Sequence, residues 1–263
     1  MPDGETYAAE IDAWHAARLD ALMAEDGWLN LTDRVEIAPG RHRVGRSAAN
    51  DLVLSAGPDH LGTLLLEEDG TGRLDAGQGF EAFEPVPDNP PRLRKAGLLL
   101  ELTAHGGQHA LRVRDLSAPA GGALSGIPRF PLDPAWRIVA GWEPLDTPQG
   151  LQIDLVKGLT SEIRLTHRAQ FRLGDLPVTL LPTHWKAGKP MFVFRDATSG
   201  RETYGAARFL IGDVQGKQIV LDFNTAFNPP CAFTEFAICP LPPPQNVLPV
   251  AIRAGERSPV FSA

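Results

Sequence analysis

The residues best suited to chemistry gather in the last third of the chain. Arg208, Asp222, Asn224, Asn228, Asn246, Arg253 and Glu256 are more polar groups than a surface turn requires. A guanidinium binds a carboxylate or phosphate through a planar fork of N–H donors, and side-chain amides can orient what it holds. Arg208, Asp222, Asn224, Asn228, Cys231 and Arg253 are therefore the candidate ligand-binding set, with a small anionic molecule as the expected partner. The same residue types also cap turns and steady strands, so a purely structural network is the competing reading.

Cys231 and Cys239 are the two cysteines of the chain. Their spacing is wide for a metal site, which usually uses closer pairs, and a four-ligand site would need His167 or His184 as well. A nucleophilic thiolate at Cys231 needs a neighbouring base or cation. A labile disulfide needs the segment to fold back on itself. Buried, inert thiols are the simplest expectation. The glycine-rich, nucleophile-elbow and zinc-helix motifs of the common nucleotide, hydrolase and metalloprotease sites do not occur, so no cofactor or metal is expected.

These residues must be held by a mainly β scaffold. Residues 6–25 have a helical period, with Ile11, Trp14, Leu19 and Leu22 on one side and Glu10, Asp12 and Arg18 mostly on the other. Residues 1–27 thus form an N-terminal helix that should dock on the lobe that follows, with Gly27 just past its end. Residues 28–116 change to short apolar or alternating runs punctuated by Gly, Pro, Asn and Asp, the pattern of a β-sandwich. Its clearest hairpin turns at Gly106-Gly107. Residues 117–134 lack a period and read as a linker. Residues 135–263 form a second β-rich lobe whose Pro-rich tail should run extended over the surface.

One register in that lobe can be predicted. A three-residue loop Val214-Gln215-Gly216 would pair Asp213 with Lys217, placing Phe209 opposite Leu221 and Ile211 opposite Ile219. Arg208 would then face Asp222 across the strands as an ion pair. The stretch before it should form another hairpin turning near Gly200, giving three consecutive antiparallel strands over residues 191–224.

Three long stretches, FRDATSGRETYGAARFL, LDFNTAFNPPCAF and CPLPPPQNVLPVAIRAGE, with Trp28, Leu29 and Leu31 after the helix, make this chain resemble a bacterial family of domains of unknown function, number 1684. That resemblance implies no activity. In the first lobe, Gly45-Arg46, the run Asn50-Asp51-Leu52-Val53-Leu54 and His60 resemble the start of a forkhead-associated domain, a β-sandwich that binds phosphothreonine. The resemblance implies Arg46 as a phosphate-contacting residue and a protein partner as the alternative function. Gly57 stands where that pattern has a serine three residues before the histidine, which removes a principal donor.

Bulk properties narrow the function classes. An apolar fraction of 43% and a charged fraction of 22% are those of a globular protein. A net charge of −7 without a basic stripe argues against nucleic acid as a partner. No apolar run reaches bilayer length and the first residues lack a signal-peptide pattern, so no membrane association and a cytoplasmic location with reduced thiols are expected.

Overall fold

The computed structural model describes residues 4–87, 89–117 and 124–262. These are mainly β, with one long helix, α1 (Gly4–Met23), at the N-terminal side. Within the described residues, no helix is long and apolar enough to cross a membrane. The chain divides into two compact units: residues 20–122 with 234–237, and residues 1–19 with 123–233 and 238–263. Residues 118–123 of the expected linker lie outside the described residues. From residue 124 onward the predicted linker is part of the second unit, where Leu124–Gly126 pairs with Val260–Phe261.

The first unit is a sandwich of two five-stranded sheets. One runs in the order Leu31–Ile37, Gln108–Asp115, Leu98–His105, Asn89–Lys95, Glu84–Val86; the other in the order Leu52–Val53, Gly40–Gly45, Gly62–Leu66, Gly72–Asp75, Phe80–Ala82. Ile37, Leu98, Leu100, Leu111 and Val113 of the first meet Val44, Leu64, Leu66 and Leu74 of the second in one apolar core. The hairpin at Gly106-Gly107 forms as the sequence suggests. His105 pairs with Gln108, and both glycines take positive φ (57° and 79°), as a two-residue hairpin turn of this hand requires. A buried polar centre accompanies that core, with the Glu101 carboxylate accepting from Arg92, Arg112 and Arg114. Gly27 serves differently from the expectation. Its φ is −69°, and it is small because a Cβ there would lie 2.3 Å from the Leu22 carbonyl oxygen.

The second unit is built on a seven-stranded antiparallel sheet. Its order is Leu176–Leu180, Thr160–Leu173, Arg137–Asp154, Gln218–Asp222, Arg208–Gln215, Lys189–Phe194, His184–Lys186. The three consecutive strands expected over residues 191–224 are present, but the predicted register is not. Asp213 pairs with Val220, three residues beyond Lys217, and Gln215 pairs with Gln218. The turn is therefore the two residues Gly216-Lys217, with Gly216 at φ 65°. Two causes are visible. Ala207, Arg208, Phe209 and Leu210 are all buried, so the strand start is covered on both faces and alternation carries no face signal there. In addition, Ile219 lies over Gly212, where a Cβ would come within 2.4 Å of its Cδ1, which ties the pairing to a glycine.

Helix α1, up to Leu19, belongs to this C-terminal unit and not to the sandwich. Its inward side is Tyr7, Ile11, Trp14 and Arg18, spaced four, three and four residues apart, and Trp14 packs 6.2 Å from Phe227 between ring centroids. Arg18, expected on the outer side, is thus on the packed one.

The Pro-rich tail is also unlike its expectation. Asn246, Leu248, Ile252, Ala254 and Glu256 are buried, and Leu248, Ile252 and Ala254 join Trp142, Phe192, Leu210, Leu221 and Phe223 in the main core. A segment with so many prolines cannot complete a strand ladder, so side chains satisfy the backbone around it. Asn246 accepts from Leu181 N (2.8 Å) and donates to the carbonyls of Leu181 and Val193 (both 2.8 Å).

Candidate functional site

Arg208 is 1% exposed and is engaged within the fold. Its Nη1 donates to Asp196 Oδ2 at 2.8 Å and to the Ile252 carbonyl at 2.9 Å, while Nη2 donates to the Ala254 carbonyl. Asp196 lies on the connection between the strands Lys189–Phe194 and Arg208–Gln215, and it also accepts from Thr198 N at 2.7 Å. The predicted pair with Asp222 is absent because the register differs. Arg208 instead clamps the tail, and its guanidinium stands 5.2 Å from the Phe194 ring centroid.

Asp222 and Asn224 do come together, around a residue the sequence reading passed over. Asp222 caps the short 3-10 turn Phe223–Thr225 by accepting from Asn224 N at 3.1 Å. Its carboxylate accepts from the Tyr7 hydroxyl at 2.7 Å, and Arg137 Nε stands 3.6 Å away. Asn224 donates to Tyr7 Oη (3.0 Å) and to the Asp133 carbonyl (2.9 Å). Burial, reinforced by the hydrogen bond to the Asp222 carboxylate, raises the Tyr7 phenol well above its ordinary pKa. Tyr7 is accordingly a fixed donor at neutral pH.

Asn228 belongs to a second cluster, with Glu256, Arg18 and His15. Its backbone N and Nδ2 donate to Glu256 Oε2 at 2.7 and 3.0 Å, and Arg18 Nη2 donates to the Asn228 carbonyl at 2.8 Å. Arg18 Nε faces Glu256 Oε1 at 3.4 Å, too loosely aligned to count as a hydrogen bond. Arg18 also lies against Phe227, 4.7 Å from its ring centroid. Within the described residues, His15 Nδ1, Arg18 Nε, Asn228 Oδ1 and Glu256 Oε1 are buried atoms without a hydrogen-bond partner. Burial raises the Glu256 carboxyl pKa, an effect that the nearby Arg18 guanidinium opposes. Burial also lowers the pKa of His15, aided by the positive charges of Arg129 and Arg18.

A cleft of about 440 Å³ opens at this end of the lobe. Helix residues Ile11 and Asp12, the segment Arg129–Leu132, Asn224 and Gly255 line it. Arg129 Nη2 donates to Asp12 Oδ1 at 2.8 Å and makes no other hydrogen bond within the described residues. The remaining candidates lie elsewhere. Arg253 is exposed and paired with Glu202 at 3.0 Å. Cys231 is half-buried beside Cys239, and Arg46 is exposed in the first unit, paired with Asp59. Trp142 stacks on His167 at 5.0 Å, which accounts for that histidine. No three His, Cys, Asp or Glu side chains among the described residues gather as a metal site would require.

Tyr7, Arg18, Asp196 and Arg129 are the polar residues the sequence did not point to. A helical signal for two of them existed, since Tyr7 and Arg18 extend the stripe of Ile11 and Trp14 at both ends. For Arg129 no local pattern exists, because its partner Asp12 is distant in the chain; Asp196 meets Arg208 only 12 residues on, across a connection without strand alternation.

Comparison with known proteins adds a family and no activity. A search of curated proteins finds no match. The solution NMR structure of an uncharacterized protein from gene locus rrnAC0354 of Haloarcula marismortui is 29% identical, over 51% of this chain and 76% of that one, with a TM-score of 0.41. The family model DUF1684, described as a protein of unknown function, matches residues 123–257, which hold the Arg208 clamp, Asp222, Asn224, Asn228 and Glu256. On that match the chain belongs to the DUF1684 family.

Proposed function

We propose that the C-terminal lobe binds a small anionic molecule in the cleft between helix α1 and the segment Arg129–Leu132. The observation that carries this reading is Arg129, a half-buried guanidinium on a 440 Å³ cleft that spends a single N–H on Asp12 and leaves the rest of its fork uncommitted. Asn224, held by Tyr7, Asp222 and Asp133, supplies a fixed polar wall. The anchor is thus Arg129; Arg208 is committed to Asp196 and the tail. Reaction chemistry is no part of the proposal.

The test is calorimetric titration with succinate and with inorganic phosphate at constant ionic strength. Saturable binding to the wild type should weaken about 10- to 100-fold in Arg129→Gln, the equivalent of roughly 1.5–3 kcal/mol for a charged hydrogen bond. Arg253→Gln, at the surface, should bind as the wild type does. Absence of saturable binding by either anion, or equal binding by Arg129→Gln, would overturn the proposal.

A second reading is favoured by one observation in the first unit. Arg46 is exposed beside a small network in which Asn50 Nδ2 donates to the carbonyls of Ser47 (2.8 Å) and Asp59 (2.7 Å), and His60 Nδ1 contacts Asn50 Oδ1 at 3.2 Å. This lobe, forkhead-associated-like in sequence, would then present Arg46 to a protein partner. Phosphothreonine fits poorly as its target. Gly57 has φ 89°, and a Cβ there would sit 2.6 Å from Leu98 Cδ1, so position 57 is shaped against a hydroxyl-bearing side chain.

A further inference from the structure

Cys231 and Cys239 lie outside the cleft, and neither the polar clusters nor the proposed ligand site uses their thiols. Cys231 sits in the turn Pro230–Ala232 and is half-buried, whereas Cys239 is 2% exposed. The chain folds back between them, so that Cys231 N donates to Cys239 Sγ at 3.2 Å. Both ends are fixed. The Tyr204 hydroxyl donates to the Cys231 carbonyl at 3.0 Å, and Val156 N donates to the Cys239 carbonyl at 2.9 Å. A disulfide requires Cα atoms roughly 4.4–6.8 Å apart, and a sulfur 3.2 Å from its partner's backbone N brings the two residues into that neighbourhood.

We infer that Cys231 and Cys239 form an oxidisable dithiol whose substrate class is a hydroperoxide, with Cys231 attacking and Cys239 resolving. The asymmetry of the pair assigns these roles. Cys231 is half-buried and open to a reagent, whereas Cys239 is enclosed; the neighbouring Cys239 lowers the pKa of the Cys231 thiol, and the proximity of Cys231 together with burial raises that of Cys239. The Cys231 thiolate attacks the terminal oxygen of the hydroperoxide; the O–O bond breaks, and the alkoxide leaves and takes up a proton. Cys239 then attacks the sulfenic sulfur, the S–OH bond breaks, and its thiol proton leaves with the hydroxyl as water. One hydroperoxide and two thiols thus give one disulfide, one alcohol and one water. An external dithiol reverses the change.

The test is to treat the folded protein with stoichiometric hydrogen peroxide, then measure intact mass and alkylatable thiols. Loss of both thiols together, with a mass lower by two hydrogens and restored by dithiothreitol, is the expected result. In Cys239→Ser the intermediate should persist and be captured by dimedone at Cys231. Retention of both free thiols in the wild type, or over-oxidation of Cys231 without disulfide, would overturn the inference. The wild-type measurement stands even if the variant fails to fold.

Discussion

Arg208→Met tests whether this arginine is a structural clamp. The substitution keeps an unbranched side chain of comparable length but removes every donor. Asp196, whose side chain is 0% exposed, would lose its ion-pair partner and retain its bonds from Thr198. The carbonyls of Ile252 and Ala254 would lose donors in the same step. Breaking a buried ion pair by removing one partner costs about 3–5 kcal/mol, and the carbonyl losses overlap with that figure. A loss of about 4 kcal/mol corresponds to roughly a 1,000-fold rise in the opening equilibrium constant, and an equal fall in protection. Hydrogen exchange at the amides of Ile219, Val220 and Leu221, in the neighbouring strand, reads that change within the lobe. A second substitution, Asp196→Asn, should recover part of the loss, since it removes the charge left unpaired. A fall in protection below about tenfold, or a double variant worse than the sum of the singles, would refute the clamp.

Two further outcomes follow from buried polar groups. Asn246→Ala removes the side chain that serves Leu181 and Val193, leaving three buried backbone groups unsatisfied, and should cost about 3 kcal/mol or more in thermal unfolding of the C-terminal lobe. Glu256 has a raised pKa in the folded state, so the folded protein holds its proton more tightly than the unfolded chain does. Its stabilising contribution is therefore full below the ordinary glutamate value of 4.5 and declines as pH rises through the higher folded value. The urea midpoint of the wild type minus that of Glu256→Gln should fall between pH 4 and neutrality; a rising difference would mean that Arg18 outweighs burial.

How much of this was legible in the sequence depended on whether neighbours in the chain set the geometry. The turn at Gly106-Gly107 could be read because two adjacent glycines admit few hairpin geometries and the flanking runs pair immediately. The turn at Gly216 looked equally local, yet its register depends on which faces are covered, and at Ala207–Leu210 both are. Alternation then has two equivalent answers, and a glycine at 212 decides between them. A charge usually marks the wet face of a helix, which argues for Arg18 outward. It lies inward because Glu256, Phe227 and the Asn228 carbonyl receive it, all more than two hundred residues away. The burial of the tail has a related cause. Proline spacing argues for an extended chain, but says nothing of whether Arg208 waits to clamp it or whether Asn246 within it reaches Leu181 and Val193. The candidate site suffered the same limit: Asp222 and Asn224 were found, while Tyr7 and Arg129, supplied from distant parts of the chain, were not.

The union of helix α1, up to Leu19, with residues 123–233 and 238–263 in one unit bears on the order of events during synthesis. Tyr7 must meet Asp222 across 215 positions, and the whole sandwich emerges from the ribosome in between. Closing so long a loop is entropically costly and slow, so the sandwich can mature first while the helix waits with its apolar side unoccupied. That interval is when the nascent chain is most open to chaperones and to aggregation, and it ends once the clamped tail has been translated.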